Sequence, residues 1–196
     1  RVNGIMMWPA LAWLAWRALY GGKPGGRERV TVVVALLLVP AGIGLYSLYN
    51  YQLSGHLFEW KATIERWGYS TGGNPWMSMV HLLHDLATRP IVYIATQPTA
   101  RYDALNGVTA LLFVVAIPFV WIRFGAAYGL YMAANLWLPL SSGLFEGLGR
   151  YCSVLFPFFI LLGSARSKTV TTTAVVLSGV LYTLCMAIFT NLQPLY

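Results

Sequence analysis

Six apolar runs, separated by polar or charged stretches of unequal length, constrain this chain more than any motif in it. A helix needs about 20 apolar residues, within a range of about 17–25, to cross the hydrocarbon layer of a bilayer. Runs near that length cover 4–20, 30–51, 104–122, 125–140, 144–163 and 170–190. Only 10% of the 196 residues are charged and 58% are hydrophobic, whereas soluble domains carry about 25% charged residues. The expected fold is therefore all-α: a polytopic membrane bundle of six spans, one domain over 1–196, with a long outer loop at 52–103. Trp and Tyr are plentiful, as aromatic belts at membrane interfaces require.

Lys and Arg in the loops orient such a bundle. On one side lie Arg17, Lys23, Arg27, Arg29, Arg123, Arg166 and Lys168, against the single acid Glu28. On the other, Lys61, Arg66, Arg89, Arg101 and Arg150 are matched by Glu59, Glu65, Asp85, Asp103 and Glu146. The basic side is expected to be cytoplasmic, which puts 52–103 and the Glu146/Arg150 stretch on the periplasmic or lumenal side. This scatter through short loops also argues against nucleic acid as the partner of the net +7 charge. Cys152 and Cys185 lie inside apolar runs, where a structural disulfide is not expected. The chain begins at Arg1 with no signal peptide, and it is expected to be the C-terminal part of a longer protein that ends at Tyr196.

Within the outer loop two amphipathic helices are expected to lie in the membrane interface. In 54–67, Leu57, Trp60, Ile64 and Trp67 recur at helical spacing, Ser54 is a candidate N-cap, and Lys61 and Glu65 sit at i,i+4. In 76–87 the apolar stripe is Trp76, Met79, Val80, Leu83 and Leu86. A Gly- and Pro-containing break at 68–75 separates the two.

The stretch 143–151 carries Glu146 and Arg150 four residues apart among three glycines, next to apolar sequence. Charge at membrane depth is costly and marks a functional site by default. Arg150 suits an anion such as a phosphate, because its planar fork binds two oxygens at once. The alternative is an i,i+4 ion pair that only neutralises two charges. His81, His84 and Asp85 share one helix face and are candidate metal ligands, with a solvated face as the alternative; three or four ligands and a second shell are what zinc needs. Lys61 and Arg66 could meet an anionic head group or form the wet face of an interfacial helix. Arg101 either closes the same pocket or anchors the start of the third span. No phosphate-binding Gly-rich loop, nucleophile elbow, zinc-protease or haem motif occurs, and no cofactor is implied.

The run 149–163, Gly-Arg-Tyr-Cys-Ser-Val-Leu-Phe-Pro-Phe-Phe-Ile-Leu-Leu-Gly, resembles the Arg-Tyr…Phe-Pro-x-Phe segment near the C-terminus of PIG-V-like mannosyltransferases, the GPI mannosyltransferase II family and its bacterial relatives. Ala187-Ile188-Phe189-Thr190-Asn191 is similar to the aromatic-Asn ending of that family, and Leu57-Phe58-Glu59-Trp60-Lys61-Ala62 with Trp67-Gly68 to its outer-loop stretch. The resemblance runs from about Val30 onward. It implies a GT-C helical bundle that transfers a sugar, typically mannose, from a polyprenyl-phosphate carrier to a lipid or glycan acceptor. It also implies donor-phosphate or acceptor contacts for Arg150 and Tyr151. Glu146 would orient Arg150 or bind a sugar hydroxyl, and is a weaker candidate for the base. The family's catalytic carboxylate belongs to a first outer loop upstream of this stretch. Two other classes stay open on the residues alone: a lipid-linked transporter or flippase, and a non-catalytic membrane scaffold.

Overall fold

The computed structural model describes residues 2–22, 25–66, 68, 73–96, 100–143, 145 and 147–190, with the backbone alone at 2, 3, 100, 101, 188 and 189. Helix makes up 87% of it and no strand occurs among the described residues, so the fold is all-α. A 3-10 turn, Val2–Met7, leads into α1 (Trp8–Tyr20) and α2 (Gly26–Ser54). Three shorter helices follow: α3 (Glu59–Arg66), α4 (Pro75–Thr88) and α5 (Pro90–Thr96). Then come α6 (Ala100–Phe124), α7 (Ala126–Leu140), α8 (Leu148–Ser153), α9 (Phe156–Gly163) and α10 (Lys168–Thr190).

Three of these are long and apolar enough to cross a membrane: α2, α6 over Tyr102–Phe124, and α10 over Lys168–Ala187. The other three apolar runs take different forms. The first is divided at Met7, and α1 keeps 13 residues, about 20 Å at 1.5 Å each. The fourth gives α7, with 15 residues. The fifth, expected to be one helix, is split into α8 and α9. Pro157 causes that split: it has no N–H for the carbonyl of Ser153, and its ring crowds the turn before it.

Prolines elsewhere are kept inside helices. Pro40 lies within α2 and leaves the carbonyl of Leu36 without its i+4 donor. The Trp8 indole Nε1–H donates to that same carbonyl oxygen at 3.1 Å. The start of α1 thus mends a gap in α2, and the two helices pack side by side.

The core is built by α4, α6, α7, α8 and α9. Ala110, Phe113, Ala116 and Val120 form one buried face of α6, and Met132, Leu136 and Leu140 form that of α7. Between apolar helices in a bilayer, close van der Waals packing replaces the hydrophobic effect as the source of cohesion, which favours small residues at contacts. Gly129 shows the need, because a Cβ there would lie 2.5 Å from the Trp121 ring.

Three ties in matching order align α8–α9 parallel to α6. Gly149 N–H donates to Asn106 Oδ1 at 2.8 Å. The Phe113 and Phe158 rings stack with centroids 4.0 Å apart. Arg123 Nη2–H donates to the carbonyl of Ser164 at 2.7 Å, which brings the loop after α6 and the loop after α9 to one end of the bundle.

Two expectations for the outer loop need correction. Ser54 is not the N-cap of the first amphipathic helix; it is the last residue of α2, donating to Asn50 O at 2.9 Å. Gly55 then ends α2 in the left-handed conformation, φ 76°, and α3 starts only at Glu59. In α4 the buried stripe is Pro75, Met79 and Leu82, while Trp76, Val80 and Leu83 form a neighbouring exposed stripe. Packing against α6 and α7 selects the first stripe, so α4 is a core helix with a second apolar face left open. Asn74 caps it by accepting the Trp76 N–H at 2.9 Å, with Pro75 at the first turn. The turn α5 was not anticipated from the sequence.

Candidate functional site

The stretch after α7 is tied down at several points before it reaches Arg150. Gly143 and Gly147 both hold positive φ, 82° and 72°, the left-handed region that glycine enters without steric cost. The carbonyl of Gly143 accepts the Ser78 hydroxyl of α4 at 3.1 Å. Phe145 is buried against α6 where Gly107 stands; a side chain at Gly107 would collide with Leu82 and meet the Phe145 ring. Adjacent to it, Asn106 is only 4% exposed. Its oxygen takes the Gly149 N–H, and its amide donates to Tyr102 O at 3.0 Å. Asn106 and Gly107 thus form a seat on α6 for Phe145 and Gly149: the glycine admits the ring and the amide satisfies a first-turn N–H that α8 cannot bond itself.

From that seat α8 buries Leu148 and Cys152, continued by Leu155 beyond the helix end, and turns Arg150 and Ser153 outward. The Arg150 side chain folds back over Gly147, where a Cβ would stand 2.9 Å from its Nη2. No ion pair to Arg150 occurs among the described residues. Tyr151 is half-buried beside it. Glu146 lies outside the described residues, and with it the expected Glu146–Arg150 pair.

The other candidates are distributed as follows. Lys61 pairs with Glu65 at 3.9 Å, as the i,i+4 spacing predicts, with both side chains about half exposed. Arg66 is paired with Glu59. Both cations sit on α3, which packs against α2, whereas α8 packs against α6 and α7. His56, Leu57, Phe58, Glu59, Ala62 and Arg66 border an open recess of about 460 Å³ there. The side chain of Arg101 lies outside the described residues. His84 Nδ1 is 3.7 Å from Asp85, and Asp85 is engaged by Arg89 at 3.4 Å. No group of three or more His, Cys, Asp or Glu side chains placed to hold a metal ion occurs among the described residues. Both cysteines are free, Cys152 buried and Cys185 half-buried.

Two features escaped the sequence reading. Asn106 had a signal, a lone amide inside an apolar helix. Tyr93 on α5 had none, because α5 itself was unforeseen. Burial, and then the charges of Asp103 and Asp85, push its phenol above the usual value of 10.0.

The chain matches no family model, no curated protein and no solved structure.

Proposed function

We propose that this chain belongs to a GT-C-type glycosyltransferase, a mannosyltransferase that takes its sugar from a polyprenyl-phosphate donor at the outer, periplasmic or lumenal, face of a membrane. The observation that carries the reading is Arg150: a guanidinium without an ion-pair partner among the described residues, held on a short helix whose first turn is bonded to a spanning helix. Glycosyl transfer leaves negative charge on the departing phosphate. A planar, permanently charged fork fixed in advance near that phosphate stabilises the charge as it forms, without reorganising at the moment of reaction. Tyr151 would supply a neighbouring hydroxyl to donor or acceptor. The resemblance of 149–163 to the PIG-V-like segment supplies the sugar and the carrier.

In membranes given labelled polyprenyl-phosphate-mannose, Arg150→Ala is expected to lower transfer by about 10²–10³-fold, the usual effect of removing one preorganised charge donor. Arg150→Lys should recover only part of it, since an ammonium cannot bind two oxygens in one plane. Near-normal transfer by Arg150→Ala, at equal membrane abundance, would sink the assignment.

A further inference from the structure

The split between α8 and α9 occurs at a depth where irregular backbone is normally forbidden. Gly149 is level with Asn106, four residues inside the apolar stretch Tyr102–Phe124 of α6, and Phe158 is level with Phe113. Val154 therefore stands roughly eight residues in from Tyr102, about 12 Å below the outer end of α6. Here Pro157 withholds a donor from the carbonyl of Ser153, and the carbonyl of Val154 takes the Phe156 N–H at 2.9 Å with a long contact of 3.4 Å from the Tyr131 hydroxyl. Non-helical backbone at such depth is tolerated only where protein buries it or water reaches it. The residues that carry it are not buried: Ser153 is exposed and Val154 is 62% exposed.

The outward face also changes character at the split. Above it stand Arg150 and Ser153; below it stand Phe156, Phe159 and Ile160, all exposed and all apolar. The Ser153 hydroxyl is met within its own helix, donating to Arg150 O at 2.9 Å, but the Arg150 guanidinium would be costly on a face turned wholly to lipid. We infer that Arg150, Ser153 and Val154 line a water-filled crevice that enters the membrane along α8 and ends at Phe156, where the surface becomes dry. The inference rests on the membrane reading of α6 and is independent of the sugar chemistry.

Single cysteines at Ser153, Val154 and Ile160 test it, with a membrane-impermeant methanethiosulfonate applied to membranes opened so that both faces are reached. Labelling of the unsubstituted chain, which carries Cys152 and Cys185, sets the background. Ser153→Cys and Val154→Cys should label to the extent seen after denaturation in detergent, and Ile160→Cys should stay at background. If both upper positions remain at background while denaturation exposes them, the crevice does not exist. If Ile160→Cys labels as fully as the other two, the membrane reading fails and the inference falls with it. Val154 exposes no polar side-chain atom, so Val154→Cys keeps the test valid should Ser153→Cys not accumulate.

Discussion

Asn106 has two jobs that no apolar residue of similar size can do: it accepts from Gly149 and donates to its own helix. Asn106→Leu leaves the Gly149 N–H without its partner in a half-buried place, which costs about 1–3 kcal/mol. The expected outcome is a lower melting temperature in detergent together with weaker sugar transfer, because the seat of α8 is lost. Asn106→Asp keeps the acceptor but buries a carboxylate against the Tyr102 carbonyl, so it should recover little of the stability at neutral pH. A control at exposed Val108 should be silent in both assays. Asn106 was legible only as an odd polar residue; that it serves residue 149 depends on a contact 43 positions away, which no local pattern encodes. Arg150 was legible as a costly charge. Its freedom from the other described charges was not, since the sequence offered Glu146, Lys61, Arg66 and Arg101 as neighbours, and α3 in fact packs elsewhere.

At the scale of the helix, proline is the instructive residue. Pro40, Pro118 and Pro139 sit inside α2, α6 and α7, yet Pro157 accompanies a complete break. Composition cannot separate these cases, because the outcome depends on what else reaches the freed carbonyl. For Pro40 the supplier is Trp8. Trp8→Phe should therefore destabilise the α1–α2 pair by about 0.5–1.5 kcal/mol, the net worth of one hydrogen bond. In a Pro40→Ala background the backbone N–H returns and the same substitution should cost nearly nothing beyond lost contact area. A double-mutant cycle on thermal unfolding in detergent reads the difference as a coupling energy; additive effects would show that the indole does not serve Pro40. Run lengths predicted α2, α6 and α10 well, with ends within a few residues, because long apolar helices need only composition and length. The start of α3 was missed by five residues, because the left-handed turn at Gly55 follows from how α2 ends and not from α3 itself.

For the whole molecule, the junction of α4, α5 and α6 links stability to alkaline pH. Tyr93 is pushed upward by burial and by two carboxylates on different helices, Asp103 and Asp85, so the folded state holds its proton more tightly than the unfolded chain does. A group raised in this way contributes stability that is fully present below its ordinary value of 10.0 and is lost as pH climbs through the folded value. Thermal unfolding measured in detergent from about pH 9 upward should fall more steeply for the native chain than for Tyr93→Phe. Equal slopes would show that the cluster is not coupled to folding. The bundle's helical class was readable from hydropathy, while its layout was not: that α8–α9 runs beside α6 emerges only from bonds at 106, 113 and 123. This parallel pairing restricts how related chains can differ in length. The bonds at Asn106 and Arg123 measure the two segments against each other, so an inserted residue in either one would strand the cap on Gly149 or the bond to Ser164. Insertions should therefore collect in the loops between helices, and α6 and α8–α9 should lengthen or shorten only together.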